Sequence, residues 1–433
     1  MNNKGISLKV VLVTWAILAT IYFHHTPPGE RALDTEGHIE YTGIICNECR
    51  LPKPYDGHET YHPPLYYLIN SFIVPVSPNK EKMASLHTGD LPGGLEKHIN
   101  YVQALSVCYG AIALWIVAWF LQTVTQDTPL QILVLLFIAT TPKFVFVFST
   151  YNNDSLVTLL CIAVTALSYK LYHKWCWKYA VFLLMTATAA VYTKYTSLFC
   201  MAVIVLMCCK NLLRRKLPGL IEKRIISTIA LSIILFTPWM IFHNYHYTGI
   251  PITFNFNGDI NRQLAFSQIK KTFSTVIKNP LTEKFPHEWD KPWAHSYECP
   301  ETKHHDYLAS SFVNSIIGEY EFIKPGVNYI WSILWLHLLG YIIALTQIFK
   351  SNITKAAACF IFFTHLINLA SIALLNTPIN PCFLDYRYIC WSWIGWGILY
   401  ASASSNKSIL SRILNGALII GISIQIYFLL TVI

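Results

Sequence analysis

Five short stretches of this sequence carry side chains that could do chemistry, and they lie far apart in the chain. The first, Leu33-Asp34-Thr35-Glu36-Gly37-His38-Ile39-Glu40-Tyr41, places the acids Asp34, Glu36 and Glu40 close together. Carboxylates near a bilayer surface can take a proton as a general base or hold a cation. The plainer alternative is a solvated acidic loop. The second stretch is Glu59-Thr60-Tyr61-His62-Pro63-Pro64-Leu65-Tyr66-Tyr67-Leu68, in which two prolines are pre-set to begin a helix. The third, Phe148-Ser149-Thr150-Tyr151-Asn152-Asn153-Asp154-Ser155, puts Asp154 where a helix starts, a position that also suits an N-cap. The fourth runs from Pro238-Trp239 through Asn244 to Gly249-Ile250-Pro251. In the fifth, Asp385-Tyr386-Arg387-Tyr388, the arginine fork could grip a phosphate bidentately, or simply snorkel toward headgroups.

The elements that must position these residues are apolar helices. Of the 433 residues 54% are apolar and only 13% are charged, and the mean hydropathy is +0.42. Soluble domains carry about 25% charged residues, which removes a soluble enzyme from consideration. Long uncharged stretches recur instead, as membrane-spanning helices require. The expected spans are 7–24, 102–124, 129–149, 155–172, 179–193, 197–209, 225–243, 327–348, 356–375, 389–403 and 410–432, about 11 in all. The first reads as a retained helix, since His24-His25-Thr26-Pro27-Pro28 offers no small-x-small cleavage site.

Charge orients them. With a cytoplasmic N-terminus, the cytoplasmic segments hold 15 basic residues against two acids, Asp127 and Glu222, and the opposite face holds 17 basic and 21 acidic residues. The positive-inside rule selects this arrangement. The net charge of +9 is therefore a topology signal, and nucleic acid is not an expected partner. Both large polar segments, 25–101 and 244–326, fall on the outer side, and any chemistry is expected there. The stretch from Pro63 to about Val76 is too short to span. Its Leu65, Tyr66, Tyr67, Leu68, Ile69, Phe72 and Ile73 suggest an apolar face lying along the outer surface.

Most of the twelve cysteines fall within spans, where a thiol behaves as a small apolar group. Cys46, Cys49, Cys299 and Cys382 fall outside. An oxidising compartment favours disulfides among them. Cys46-x2-Cys49 with His58 and His62 downstream also has zinc-ligand spacing, which makes Cys46, Cys49 and His58 weak metal candidates.

Taken together, the order and shared sidedness of these stretches resemble the GT-C superfamily of membrane glycosyltransferases. The nearest branch is the family 39-like one, with its protein O-mannosyltransferases and lipid A aminoarabinose transferases. The resemblance rests on Asp34-x-Glu36 with His38 and Tyr41, then His62-Pro63-Pro64-Leu65-Tyr66-Tyr67. It continues with Asn152-Asn153-Asp154, Lys194-Tyr195-Thr196, Pro238-Trp239 with Asn244 and Gly249-x-Pro251, and finally Arg387-Tyr388. Two positions depart from the pattern: Gln103 stands where an Arg often opens the second span, and Tyr386 stands in place of a Gly.

The resemblance implies an all-α GT-C fold with its catalytic core in residues 1–243, an outer loop region 244–326 and C-terminal helices 327–433. It implies transfer of a sugar from a polyprenyl-phosphate donor to a lipid, glycan or protein acceptor, on the non-cytoplasmic face of a bacterial inner membrane or the endoplasmic reticulum. Asp34 would be the base, with Glu36 as its substitute, and Asp154 would complete the acidic pocket. Lys194, Arg387, His62 and Tyr66 would contact the phosphosugar donor. Whether a divalent metal ion takes part is left open. A lipid or sugar-lipid transporter is the competing reading, although the absence of a visible internal repeat and the few ionisable groups in the spans speak against it. A second competitor is a non-catalytic scaffold whose acidic loop binds a partner protein.

Overall fold

The structure, a computed structural model, describes residues 3–29, 34–53, 56–57, 59–73, 93–209, 218–248, 312, 315–317, 327–347, 351–374, 386–405 and 408–431. All regular structure among these residues is helical. Among the described residues six helical stretches are long and apolar enough to cross a membrane: Leu8–His25, Gly93–Leu121, Asp154–His173, Leu220–Tyr245, Tyr329–Thr346 and Ile409–Thr431. With the other two, shorter apolar helices, they make this an integral membrane protein.

The expected span 356–375 is one continuous helix, Asn352–Leu374, and the others are shorter or interrupted, each for a local reason. The segment 129–149 divides into Thr128–Ala139 and Pro142–Val147, because Pro142 removes a backbone donor where the first helix ends. The pair 179–193 and 197–209 appears as Trp177–Thr193 and Ser197–Cys209, separated by Lys194-Tyr195-Thr196. Helix Leu220–Trp239 contains Pro238 and passes into a π-helix, Met240–Tyr245. Before Trp393–Ser404 lies a 3-10 segment, Tyr386–Ser392, rather than a continuous span.

The chain forms two compact units. The first comprises residues 1–22, 117–146 and 261–433; the second comprises 23–116 and 147–260. In the first unit Trp15 and Trp393 flank Phe144, with ring centroids 5.0 and 4.9 Å away. Polar side chains link its helices where lipid offers them no alternative partner. Thr140 Oγ1 donates to Gln425 Oε1 at 2.7 Å, and Gln425 Nε2 donates to His337 Nε2 at 2.6 Å. A Cβ at Gly421 would stand 2.7 Å from Phe137, so this glycine sets how closely the two helices approach. Gly421→Val is expected to cost about 1–3 kcal/mol by overpacking. Thermal unfolding in detergent checks it, and an unchanged transition would show that Phe137 can move aside.

The second unit holds four of the five chemistry-bearing stretches. The elements used below are α1, Thr35–Glu48; α2, Leu65–Ser71; α3, Gly93–Leu121, up to residue 116; α4, Asp154–His173; α5, Trp177–Thr193; α6, Ser197–Cys209; and α7, Leu220–Trp239, with its π-helical extension. Helix α2 packs against α1 and α5. Of the apolar face expected for 63–76, Leu65, Leu68, Ile69, Phe72 and Ile73 stay half-buried or exposed, and the two tyrosines turn inward. Tyr66 and Tyr67 are wholly buried, while Phe72 is 87% exposed. The two tyrosines find aromatic partners inside the unit, Tyr41 and Tyr151 among them.

Candidate active site

Asp34 stands directly before α1 with φ 64° and ψ 14°, in the left-handed region. Aspartate is among the few non-glycine residues that tolerate this conformation, at a cost on the order of 1–3 kcal/mol. Although it occupies the N-cap position, its side chain makes no capping hydrogen bond. The Asp34 side chain is half-buried, Glu36 two residues on is exposed, and His38 one turn on is buried. The backbone N–H of His38 donates to the Asp34 carbonyl at 3.0 Å, which closes the first turn.

Below α1 the aromatic rings form a packed floor. Tyr41 and Tyr67 stack in parallel with centroids 3.7 Å apart, and Tyr41 Oη donates to the His62 carbonyl at 3.2 Å. Tyr67 Oη lies 2.9 Å from His38 Nδ1, and Asn153 Nδ2 donates to the same phenol oxygen at 3.3 Å. Nearby, Tyr151 Oη joins His98 Nε2 and Thr42 Oγ1, each at 3.0 Å. Glu59 is almost wholly buried and pairs with His62, Oε2 to Nε2, at 2.8 Å. A Cβ on Gly37 would come within 2.5 Å of Glu59 Cγ, so the glycine lets Glu59 lie against the first turn of α1.

Asp154 is the first residue of α4, yet it does not cap that helix. Asn152 Oδ1 accepts the Ser155 backbone N–H at 3.1 Å and does that work. The Asp154 carboxylate instead meets Lys194 Nζ at 2.6 Å, with both side chains nearly buried. Lys194 reaches it from the break between α5 and α6. The neighbouring Tyr195 holds that break in place, its phenol accepting Trp239 Nε1 at 3.2 Å and a hydrogen bond from Asn244 Nδ2. His243 stacks on Trp239 at 3.9 Å and bonds the Pro52 carbonyl at 2.8 Å, which ties the π-helix to the segment after α1.

Electrostatics join these parts. Burial pushes the His38 pKa down from 6.5 to about 3. Glu59 opposes that shift, His62 adds to it, Asp34 opposes it and Lys194 adds to it, in decreasing order of size. His38 thus feels both Asp34 and the Lys194 of the ion pair. Burial likewise raises the phenols of Tyr41, Tyr66 and Tyr67 well above 10, so all three are neutral donors. Because the folded pKa of His38 lies below the unfolded one, the unfolded chain binds the extra proton between about pH 3 and pH 6.5. Stability is expected to fall as pH drops through that window and to be fully kept above it. His38→Gln should flatten the decline in thermal unfolding measured against pH.

Of the residues expected in the site, the structure brings Asp34, His62, Tyr66, Asp154 and Lys194 into one unit, with Glu36 at its exposed edge. Arg387 belongs to the other unit, in the 3-10 segment, and its side chain lies outside the described residues. Cys46 and Cys49 are free thiols, while Cys299, Cys382 and His58 lie outside the described residues. Among the described residues no group of three or more His, Cys, Asp or Glu side chains is arranged to hold a metal ion. Sequence reasoning gave Tyr67 only a place in an apolar face and assigned no site role to Asn153, Tyr151, His98 or Tyr195. The aromatic runs around them were visible, but the pairings join segments too far apart for any local rule.

No protein-family model matches this chain, and no curated protein matches it by sequence. Solved structures do. The chain is similar to the Archaeoglobus fulgidus oligosaccharyltransferase AglB in complex with an inhibitory peptide and a dolichol-phosphate, at 11% identity and a TM-score of 0.50, over 98% of this chain and 55% of that one. It is also similar to the same organism's oligosaccharyltransferase tethered to an acceptor peptide, at 12% identity, a TM-score of 0.46 and the same coverage. A third likeness is to the S. cerevisiae protein O-mannosyltransferase Pmt1-Pmt2 complex bound to the sugar donor, at 15% identity and a TM-score of 0.42, over 64% of this chain and 37% of that one. The chain thus spans between about a third and just over half the length of the structures it matches. At such identities the likeness concerns the architecture alone.

Proposed function

We propose that this protein is a glycosyltransferase that moves a sugar from a polyprenyl-phosphate carrier to an acceptor on the non-cytoplasmic face of the membrane. The observation that carries the reading is the grouping of Asp34, His38 and the buried Lys194–Asp154 pair in one unit. On this reading the chain crosses the bilayer about eleven times, counting the shorter helices, and the Asp34 loop lies outside. The donor's tail stays in lipid while its phosphosugar emerges beside α1. In an inverting displacement the acceptor hydroxyl attacks the anomeric carbon, Asp34 takes the hydroxyl proton, and the bond from that carbon to the phosphate oxygen breaks. Polyprenyl phosphate departs with the bonding electrons. Lys194 lies close enough to the acids to bias the local field for that anion, and Arg387 is proposed as a second phosphate contact. His62 and Tyr66 line the donor side. A divalent cation, if the reaction uses one, would find Asp34 and Glu36 as its nearest carboxylates.

The test is reconstitution of the full chain in vesicles containing a panel of polyprenyl-phosphate sugars, with release of the free carrier phosphate followed by mass spectrometry. Comparison of membrane lipids and glycans from cells with and without the gene then identifies the acceptor. Carrier-linked sugar that crosses the bilayer unchanged, with no carrier phosphate released, would replace this reading with transport.

A further inference from the structure

Helices α4 and α5 meet at the Asp154–Lys194 pair, and α7 reaches the same end through Trp239 and Tyr195. Their opposite ends also lie together, where α4 passes into α5 across residues 174–176 and α7 begins. A direct contact joins them there: the Arg224 guanidinium lies over the Trp175 ring, 5.1 Å from its centroid. The 20 residues of α4 extend roughly 30 Å, the thickness of the hydrocarbon layer. With the ion pair at one face of the bilayer, the Arg224 end reaches the headgroups of the other.

This end carries charge that the protein does not neutralise. Lys174, Lys178, Lys223 and Arg224 are all exposed, and among the described residues none is paired with a carboxylate. Glu222 is the one acid in 174–178 and 219–224, and it folds back on the start of its own helix. Its Oε2 lies 2.6 Å from where a Cβ on Gly219 would stand. Cys176 gives α5 no side-chain cap, so the first N–H groups of that helix add to the positive potential. The Trp175 ring steadies Arg224 without a counter-charge, which leaves the guanidinium N–H groups to an outside anion.

The class of anion follows from what adjoins the charge. From Trp177, which is 68% exposed, an exposed apolar stripe runs along α5 through Val181, Phe182 and Met185 at helical spacing. A soluble anion or an acidic peptide gains nothing from such a stripe. A phospholipid uses both parts, headgroup against the cations and acyl chain along the helix. We propose that this end of the three helices is a binding site for an anionic phospholipid, its phosphate held by Arg224 on Trp175 together with Lys174 and Lys178, and its acyl chain lying along α5.

The site is independent of the glycosyl-transfer reading, and its test needs no turnover. The full chain is equilibrated in detergent with equal amounts of phosphatidylglycerol and phosphatidylcholine, and native mass spectrometry counts the lipids it retains. The wild-type protein is expected to prefer phosphatidylglycerol by about tenfold or more. The triple variant Lys174→Gln, Lys178→Gln, Arg224→Gln should lose that preference. A control triple variant, Lys9→Gln, Lys355→Gln, Arg412→Gln, removes as much charge from exposed positions near the starts of three other helices and should keep it. Trp175→Leu changes no charge, yet by unseating Arg224 it should weaken the preference by about threefold. An equal loss in the two triple variants would reduce the effect to net charge and overturn the proposal. So would a wild-type protein without headgroup preference, or a Trp175→Leu protein with the full one. Capture of a poly-glutamate peptide by the wild type, abolished by the first triple variant and unaccompanied by lipid preference, would give this surface to a protein partner instead.

Discussion

Asp34→Asn is expected to lower the turnover of carrier-linked sugar by about 10²-fold or more, while the folded protein survives. The substitution removes the proton acceptor and little else. Asparagine occupies the same volume and, like aspartate, tolerates the left-handed backbone of position 34. Asp34→Ala would be a poorer probe, since a side chain without a polar group there adds about 1–2 kcal/mol of backbone strain and confounds stability with chemistry. Steady-state rates in vesicles, beside a thermal unfolding curve for each variant, make the measurement. Full turnover in Asp34→Asn with a collapse in Glu36→Gln would move the base two residues along, to the exposed Glu36. Full turnover in both would end the mechanism.

The second large effect concerns the ion pair. Lys194 and Asp154 lie 40 positions apart, 2.6 Å from each other and almost out of contact with solvent. Removing one partner strands a buried charge, so Lys194→Met is expected to cost about 3–5 kcal/mol of stability. Asp154→Leu combined with Lys194→Met leaves no charge to strand, and an apolar pair of similar volume is often tolerated. The double variant should therefore recover most of the stability lost in Lys194→Met and remain unable to transfer sugar. Thermal unfolding and rate are read together on all three proteins. If the double variant recovers both, the pair is a structural clasp and takes no part in the reaction.

Most of the architecture was legible because its cause is compositional. Uncharged runs mark helices whatever their neighbours, and the described long apolar helices begin and end within nine residues of the expected spans, whereas Thr35–Glu48 and Leu65–Ser71 fall in the polar segment 25–101 and match none. The exceptions have backbone causes that hydropathy does not register: Pro142 divides one span, Pro238 precedes the π-helix, and Tyr386–Ser392 winds as 3-10. The site was legible in part. Asp34, Asp154 and Lys194 were each conspicuous as charges at span edges. Their arrangement was not, because Asp154 has two plausible uses at a helix start and only the fold reveals that Asn152 takes the cap. Tyr66 and Tyr67 were misplaced for a related reason. An aromatic pair after Pro63-Pro64 satisfies the pattern of an interfacial helix, and only Tyr41, His38 and Tyr151 draw it inward.

The π-helix from Met240 to Tyr245 has a consequence for how this molecule can change over evolutionary time. Each π turn carries one residue more than an α turn, so such a segment behaves as a one-residue insertion absorbed without breaking the helix. Loss of a single residue between Trp239 and His243 would let the helix close as a regular α-helix at little cost in backbone bonding. It would also rotate everything beyond by about 100°, and swing Asn244 off Tyr195 and His243 off Pro52. Length variation here is thus cheap for the helix and ruinous for the break that presents Lys194. In a lineage that retains the activity, substitutions should accumulate freely along the lipid-facing side of this segment, where Phe242 is 75% exposed, while its residue count stays fixed.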